Sequence, residues 1–323
     1  MLSLERTPRN SDIHVWSDYI ELLCLISPDR LVSTSDIVDR LSEVADLDST
    51  VLENNLEVFS TVDETSNELE RKTVDWFRHL EFRSGVFDKY SVYPFVISRD
   101  RNTLYCKSEL TTEHKFYIFL LLASNLRHVQ KSIAFRITRT FEHISQLALK
   151  RCLPDFAEVH IFGTSGTSVG KYHGNLWNKI NLLATDLKEQ VRVNPDKLSV
   201  HNSGDGGLDL VGWVPMYDDA SGLLTVLGQC ACTEDWVSKQ HSSSYAAWNG
   251  KLSFTSLPCN MIFIPFCFRD ANGNWARPQD IHHSIVIDRI RFMYLLQNDY
   301  SFFAQESIYQ EIDNIITFVE NLV

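Results

Sequence analysis

The sequence predicts a mixed α/β fold: a mixed sheet flanked by helices, preceded by a mostly helical N-terminal domain. Two observations lead there before any motif is considered. Apolar residues recur at helical spacing through most of residues 1–130. From residue 131 onward, helical segments alternate with short β-rich runs, the order that builds a sheet covered by helices. At 323 residues the chain is long for one domain, so a division into 1–130 and 131–323 is expected.

The elements follow in order. Ile13, Trp16, Ile20, Leu23 and Ile26 predict a helix over 12–28, ended by Pro28. Ser33-x-x-Asp36 has the form of a capping box and opens a second helix that buries Ile37, Leu41 and Val44. A third helix is expected over 66–83, on Leu69, Val74, Trp76, Phe77 and Leu80. Tyr93 to Ile97 reads as a short strand. Residues 113–130 read as a helix apolar nearly all round, and so buried. In the second half a helix at 136–151 precedes a strand at 158–162, a Gly/Ser/Thr loop at 163–174 and a helix at 175–191. Strands at 208–214 and 223–230 flank the turn-forming Tyr217-Asp218-Asp219-Ala220-Ser221-Gly222. Met261 to Phe266 is an unalternating strand, buried on both faces. Helices at 284–297 and 305–322 close the chain.

The net charge is −12, whereas a dedicated nucleic-acid binder usually carries a basic field. Any DNA contact must therefore use a local patch, a metal or a more basic partner. The seven cysteines form no CxxC pair, which fits reduced thiols in a cytoplasmic protein rather than a disulfide framework or zinc site. No apolar run is long enough to span a bilayer, and Met1-Leu-Ser-Leu-Glu-Arg6 has no apolar signal region, so a soluble intracellular protein with no membrane association is expected.

The chemistry concentrates in Gly204-Asp205-Gly206-Gly207-Leu208-Asp209 and Leu227-Gly228-Gln229-Cys230-Ala231. If Val214 faces Leu224 across the hairpin, Asp209 faces Gln229, and directly opposed residues share a face with Cβ atoms roughly 5 Å apart. A carboxylate, an amide oxygen and a backbone carbonyl suit a hard cation. A slip of one residue would separate them. A glutamine ending an apolar strand is costly to bury unpaired. The alternative is a plain surface hairpin, since Asp and Gly both favour turns.

These residues resemble the core of the PD-(D/E)xK nuclease superfamily, especially its Mrr-type branch, with its Gly-rich Asp motif, its Gln-x-Lys and a helical glutamate in a Phe-Glu context. The matching motifs lie within 136–232, with Phe141-Glu142 in the helical position. The resemblance implies a restriction-endonuclease-like fold for 131–323 and a metal-dependent DNA endonuclease using Mg2+ or Mn2+. Asp209 would be the main metal ligand, Glu142 an auxiliary one, Gln229 the second motif residue, and the Cys230 carbonyl a further donor. It also implies a setting in defence against foreign DNA, with a protein partner such as a motor ATPase supplying the DNA affinity this acidic chain lacks.

The motif lysine is absent, because position 231 is alanine. That lysine activates the attacking water, and Lys179, Lys239 and Lys171 are the candidates for its role, with Lys179 assigned to the catalytic set. The competing expectation is an interaction module that keeps the nuclease fold without cleaving. Gly166-Thr-Ser-Val-Gly170-Lys171-Tyr172 invites a phosphate-loop reading and fails it: three residues separate the glycines where four are needed, and Tyr172 replaces the magnesium-binding hydroxyl. The helix at 33–44 would be half of a helix-turn-helix, but Asp36, Asp39 and Glu43 would repel phosphate.

Overall fold

The computed structural model describes residues 2, 4, 7, 8, 12–47, 62–163, 170–194, 204–297 and 300–317. The chain divides into two compact units. The first comprises Met1–Ala134, Phe266–Arg277 and Gln297–Val323, and the second Phe135–Pro265 and Pro278–Leu296. Two later segments thus belong with the N-terminal unit, where the sequence placed everything after residue 130 in a second block. Segments folding into one core need not be contiguous in the chain, and no composition shift marks such a return.

In the first unit the order is α1 (Ile13–Ile26), β1 (Leu31–Ser33), α2 (Thr34–Leu47), α3 (Val62–Phe87), β2 (Phe95–Ile97), β3 (Thr103–Cys106) and α4 (Thr112–Ala123). The strands form an antiparallel sheet ordered β1-β3-β2. The capping box at α2 is present: Asp36 N donates to Ser33 Oγ (3.2 Å), and Ser33 N donates to Asp36 Oδ2 (2.7 Å). Helix α4 is buried on every side from Phe116 to Ala123, as its unbroken apolar run requires. The unit also buries charge. Arg83 Nη1 lies 2.6 Å from Asp18 Oδ1 and 2.9 Å from Glu21 Oε2. Tyr93 and Tyr117 hydroxyls donate to Glu21, and Ser124 Oγ donates to Asp18.

The second unit opens on a helix that begins at the end of the first, α5 (Lys131–Cys152). There follow β4 (Glu158–Ile161), α6 (Leu176–Leu187), β5 (Gln190–Val191), β6 (Leu210–Val214), β7 (Leu224–Cys230), two one-turn helices α7 (Trp236–Lys239) and α8 (Tyr245–Trp248), β8 (Leu252–Ser253), β9 (Cys259–Phe263), β10 (Ile285–Ile287) and α9 (Arg289–Leu296). The main sheet is mixed and five-stranded, ordered β10-β9-β7-β6-β4. Strands β10, β9 and β7 run parallel, while β7–β6 and β6–β4 are antiparallel. Val211, Trp213 and Leu227 join Leu176, Ile180, Leu183 and Trp248 in one apolar cluster, fixing α6 against the sheet. A Cβ on Gly212 would lie 3.0 Å from Leu153 and 3.4 Å from Leu149, so glycine there lets α5 approach β6 closely. Phe141 of α5 packs on Phe292 of α9, which packs on Phe263 of β9.

About 48% of the chain is helical. The segment expected as one helix at 284–297 is a strand and then a helix, because the β-branched Ile285-Val286-Ile287 pairs beside β9. Residues 301–304 and 307–317 form helices α10 (Ser301–Ala304) and α11 (Ser307–Thr317) of the first unit.

Candidate functional site

Strand β6 pairs with β7 in the register Val214↔Leu224 through Leu210↔Gly228, the pairing that brings Asp209 opposite Gln229. The Asp209 backbone is held on both sides. Its N–H donates to Gly228 O (3.0 Å), and its carbonyl accepts from Phe162 N (2.7 Å) and Gly163 N (3.2 Å). A residue tied to two neighbouring strands presents its side chain from a rigid base.

The side chain is tied too. Gln229 Nε2 donates to Asp209 Oδ2 (2.6 Å), and so does the Cys230 backbone N–H (2.7 Å). The other amide atom, Gln229 Oε1, is buried with no hydrogen-bond partner. An orphaned buried carbonyl oxygen is uncommon and calls for an explanation.

Glu142, from α5, reaches the same place. A Cβ built on Gly163 would sit 3.3 Å from Asp209 Oδ1 and 3.6 Å from Glu142 Oε2, so both carboxyl oxygens border the space a side chain at 163 would fill. Burial pushes the Glu142 carboxyl up to about 8, helped by the charges of Asp209 and Asp205. Burial likewise pushes Asp209 up to about 7, against the Cys230 hydrogen bond, with Asp205 adding to the rise and Lys239 opposing it. Two carboxyls that disfavour each other's ionisation are a place where a cation gains attraction.

Gly207 brings a second wall against this corner. It lies at φ +79°, and a Cβ there would be 2.6 Å from Ser242 Cβ. Asp205 Oδ1 accepts from Gly207 N (2.7 Å), closing the turn. The segment containing Ser242 is pinned through Gln240, whose Nε2 donates to Asp280 O (2.7 Å), whose Oε1 accepts from His282 N (3.0 Å), and whose carbonyl accepts from Asn260 (2.9 Å). Trp248 is fully buried with its indole N–H on Ser242 O (3.0 Å), a core residue rather than a stacking platform.

The lysines separate clearly. Lys179, on α6, is buried with its ammonium 5.9 Å over the Phe162 ring. Burial lowers its affinity for a proton, and its electrostatic partner is Asp205 rather than Asp209. Lys171 is bound to Asp186 (2.8 Å) and lies over the Trp213 ring. Lys239 is the lysine whose charge acts on Asp209. Its ammonium is held by Thr233 Oγ1 (2.9 Å), with Asp235 3.6 Å away. Sequence spacing alone does not rank the three. Of the rejected phosphate loop, residues 164–169 lie outside the described residues, while Tyr172 is spent on Asp186 (2.6 Å).

Among the described residues no three His, Cys, Asp or Glu side chains converge as a metal cluster. Donors of the kind a hard cation takes are the carboxyls of Asp209 and Glu142, which border the Gly163 space; nearby in sequence, Gln229 Oε1 has no partner and the Cys230 carbonyl lies 3.5 Å from Gln229 Nε2. No helix among the described residues is long and apolar enough to cross a membrane.

Fold and site together define a mixed α/β protein with a carboxyl pair, Asp209 buried and Glu142 half-buried, at one end of its sheet. No known protein family matches the chain, nor does any curated protein or solved structure.

Proposed function

We propose that the second unit is a restriction-endonuclease-like nuclease domain that hydrolyses phosphodiester bonds of DNA with Mg2+ or Mn2+. The reading rests on one observation: Asp209 and Glu142 put carboxyl oxygens against the same glycine, beside an amide oxygen with no partner. A divalent cation held by Asp209, Glu142, Gln229 Oε1 and the Cys230 carbonyl would supply Lewis-acid polarisation of a phosphoryl oxygen and a more acidic bound water.

The chain's own residues do the rest. The Cys230 N–H and Gln229 Nε2 fix one oxygen of Asp209 and leave Oδ1 facing Gly163. Glu142 and Asp209, titrating about 8 and about 7, lose protons when a cation replaces them. Lys239 takes the charge-offsetting part of the missing motif lysine. A role in defence, and a basic partner such as a motor ATPase, belong to the same proposal.

The second reading, a nuclease-fold interaction module without cleavage, has its own support. Asp209 Oδ2 is already occupied by two donors, and alanine stands at 231. Plasmid cleavage with Mg2+ or Mn2+ separates the two, comparing wild type with Asp209→Ala. Metal-dependent nicking lost in the variant supports the nuclease. Equal behaviour of both proteins, including no cleavage by either, removes it for the isolated chain.

A further inference from the structure

The first unit carries a second, separate surface. Its elements run helix, strand, helix, helix, strand, strand, with the sheet ordered β1-β3-β2. Helices α1 and α2 both pack against α3. This is the order in which helix-turn-helix units with a flanking hairpin are built, and in that class of unit one helix enters the major groove. The element in that position here is α3, which runs directly up to the hairpin β2–β3.

One stripe of α3 faces solvent. Arg71, Val74, Arg78, Glu81 and Gly85 follow at spacings of three and four, and so lie on one face. The hairpin turn stands beside the stripe, because Arg101 of the turn bonds Glu81 (2.9 Å). Arg99 at the turn, Arg71 on the stripe and Lys89 just past the helix are exposed and have no carboxylate partner among the described residues. The nearby acids are mostly engaged within the protein. Asp75 meets Arg78 (3.3 Å), Glu81 meets Arg101, and Asp88 accepts from Ser84 (2.9 Å). Asp100 is held by Ser98 and the Asn102 N–H. Asp88 also lies 3.7 Å from Lys107, so Glu70 and Asp100 are the acids here without a cationic partner among the described residues. Against these two stand Arg71, Lys89 and Arg99, a small positive excess on this face of an otherwise acidic chain.

Gly85 is an independent pointer. It lies in the last turn of α3 with a backbone outside the left-handed region, so it does not serve as a C-cap glycine. Nothing within 4 Å would obstruct a Cβ there, and the position is exposed. No internal packing requires this glycine, whereas a backbone that must meet a ligand closely does. Val74, exposed between the two arginines, offers an apolar contact of the kind that reads a thymine methyl.

We propose that the exposed face of α3 and the β2–β3 turn bind duplex DNA, with Arg71, Val74 and Arg78 toward the base edges and Lys89 and Arg99 on phosphates. Binding at this face is independent of the carboxyl site and does not need cleavage.

The test is fluorescence anisotropy of a labelled short duplex with the full chain in EDTA, which silences any metal-dependent step. Wild type is compared with Arg71→Glu/Arg78→Glu/Arg99→Glu and with Gly85→Ala. The charge-reversed protein is expected to bind roughly tenfold or more weakly, with the salt slope falling by about 0.9 for each phosphate the protein no longer neutralises. Gly85→Ala is expected to melt at or above the wild-type temperature and still bind more weakly, which separates direct engagement of the duplex from a folding defect. Because EDTA removes the metal on which the carboxyl site depends, a failed nuclease reading leaves this one standing. Absence of duplex binding at low salt, equal binding by the charge-reversed protein, or equal affinity for a single strand and no preference for the duplex would each overturn it.

Discussion

Gln229 donates its amide hydrogen to Asp209 at 2.6 Å, and the same carboxylate oxygen takes the Cys230 N–H at 2.7 Å. Those two donors favour the ionised form, yet burial outweighs them and holds Asp209 near 7, with Glu142 near 8 beside it. The consequence for stability has a definite sign. In the unfolded chain both groups titrate near the ordinary carboxyl value of about 4. Between that value and their folded values the native protein holds protons that the unfolded chain has released, so stability falls as pH rises through this window. Each proton difference costs about 1.4 kcal/mol per pH unit. Urea unfolding from pH 5 to 9 is expected to show this fall, flatter in Asp209→Asn and reduced by Mg2+ or Mn2+ at the alkaline end. A variant whose pH profile parallels wild type would show that Asp209 carries no such proton.

Gly163 predicts a cation effect without touching a ligand. An alanine Cβ would stand 3.3 Å from Asp209 Oδ1, tight but not prohibitive, and the Gly163 backbone is not in the left-handed region. Gly163→Ala is therefore expected to fold with a stability change within about 1 kcal/mol. Its Mn2+ affinity, measured by calorimetry, is expected to drop roughly tenfold or more, the scale of change a support residue produces. Unchanged Mn2+ affinity would mean that the space between the two carboxyls is not where the ion sits.

The hairpin was legible because its information is local. Two apolar runs separated by a short turn suggest one pairing, Val214 opposite Leu224, and that pairing places Asp209 opposite Gln229. The capping box at Ser33 was legible for the same reason. Lys239 was not, since its approach to Asp209 depends on the path of the chain through α7 and on Gln240 tethering that segment to residues 280–284. Strands β1, β3 and β10 were missed because three or four residues give too little period to read. The return of 266–277 and 297–323 to the first unit leaves no mark in composition either, being decided by which core buries them.

The lysine assignment yields a direct comparison. Lys239 acts electrostatically on Asp209, whereas Lys179 is packed over Phe162 and answers to Asp205. Lys239→Ala is expected to lower any metal-dependent cleavage by roughly 100-fold or more, the scale seen when one preorganised charge is removed. It is expected to leave the melting temperature nearly unchanged, because its ion pair with Asp235 is exposed. Lys179→Met is expected to keep most activity, since its stem, not its charge, fills the core. The reverse pattern would return the role to Lys179.

Arg83 tests the other unit. Its guanidinium is fully buried between Asp18 and Glu21, whose remaining oxygens are satisfied by Tyr93, Tyr117 and Ser124. The nearby carboxylates hold the guanidinium firmly protonated in spite of burial. Arg83→Met keeps much of the apolar stem but leaves two buried acids without their cation. Removing one partner of a buried charge network costs about 3–5 kcal/mol, because the remaining charge has lost both water and counter-charge. Urea unfolding at neutral pH is expected to show a loss of this size in Arg83→Met, and a loss below about 1 kcal/mol would show that Arg83 does not neutralise this pair.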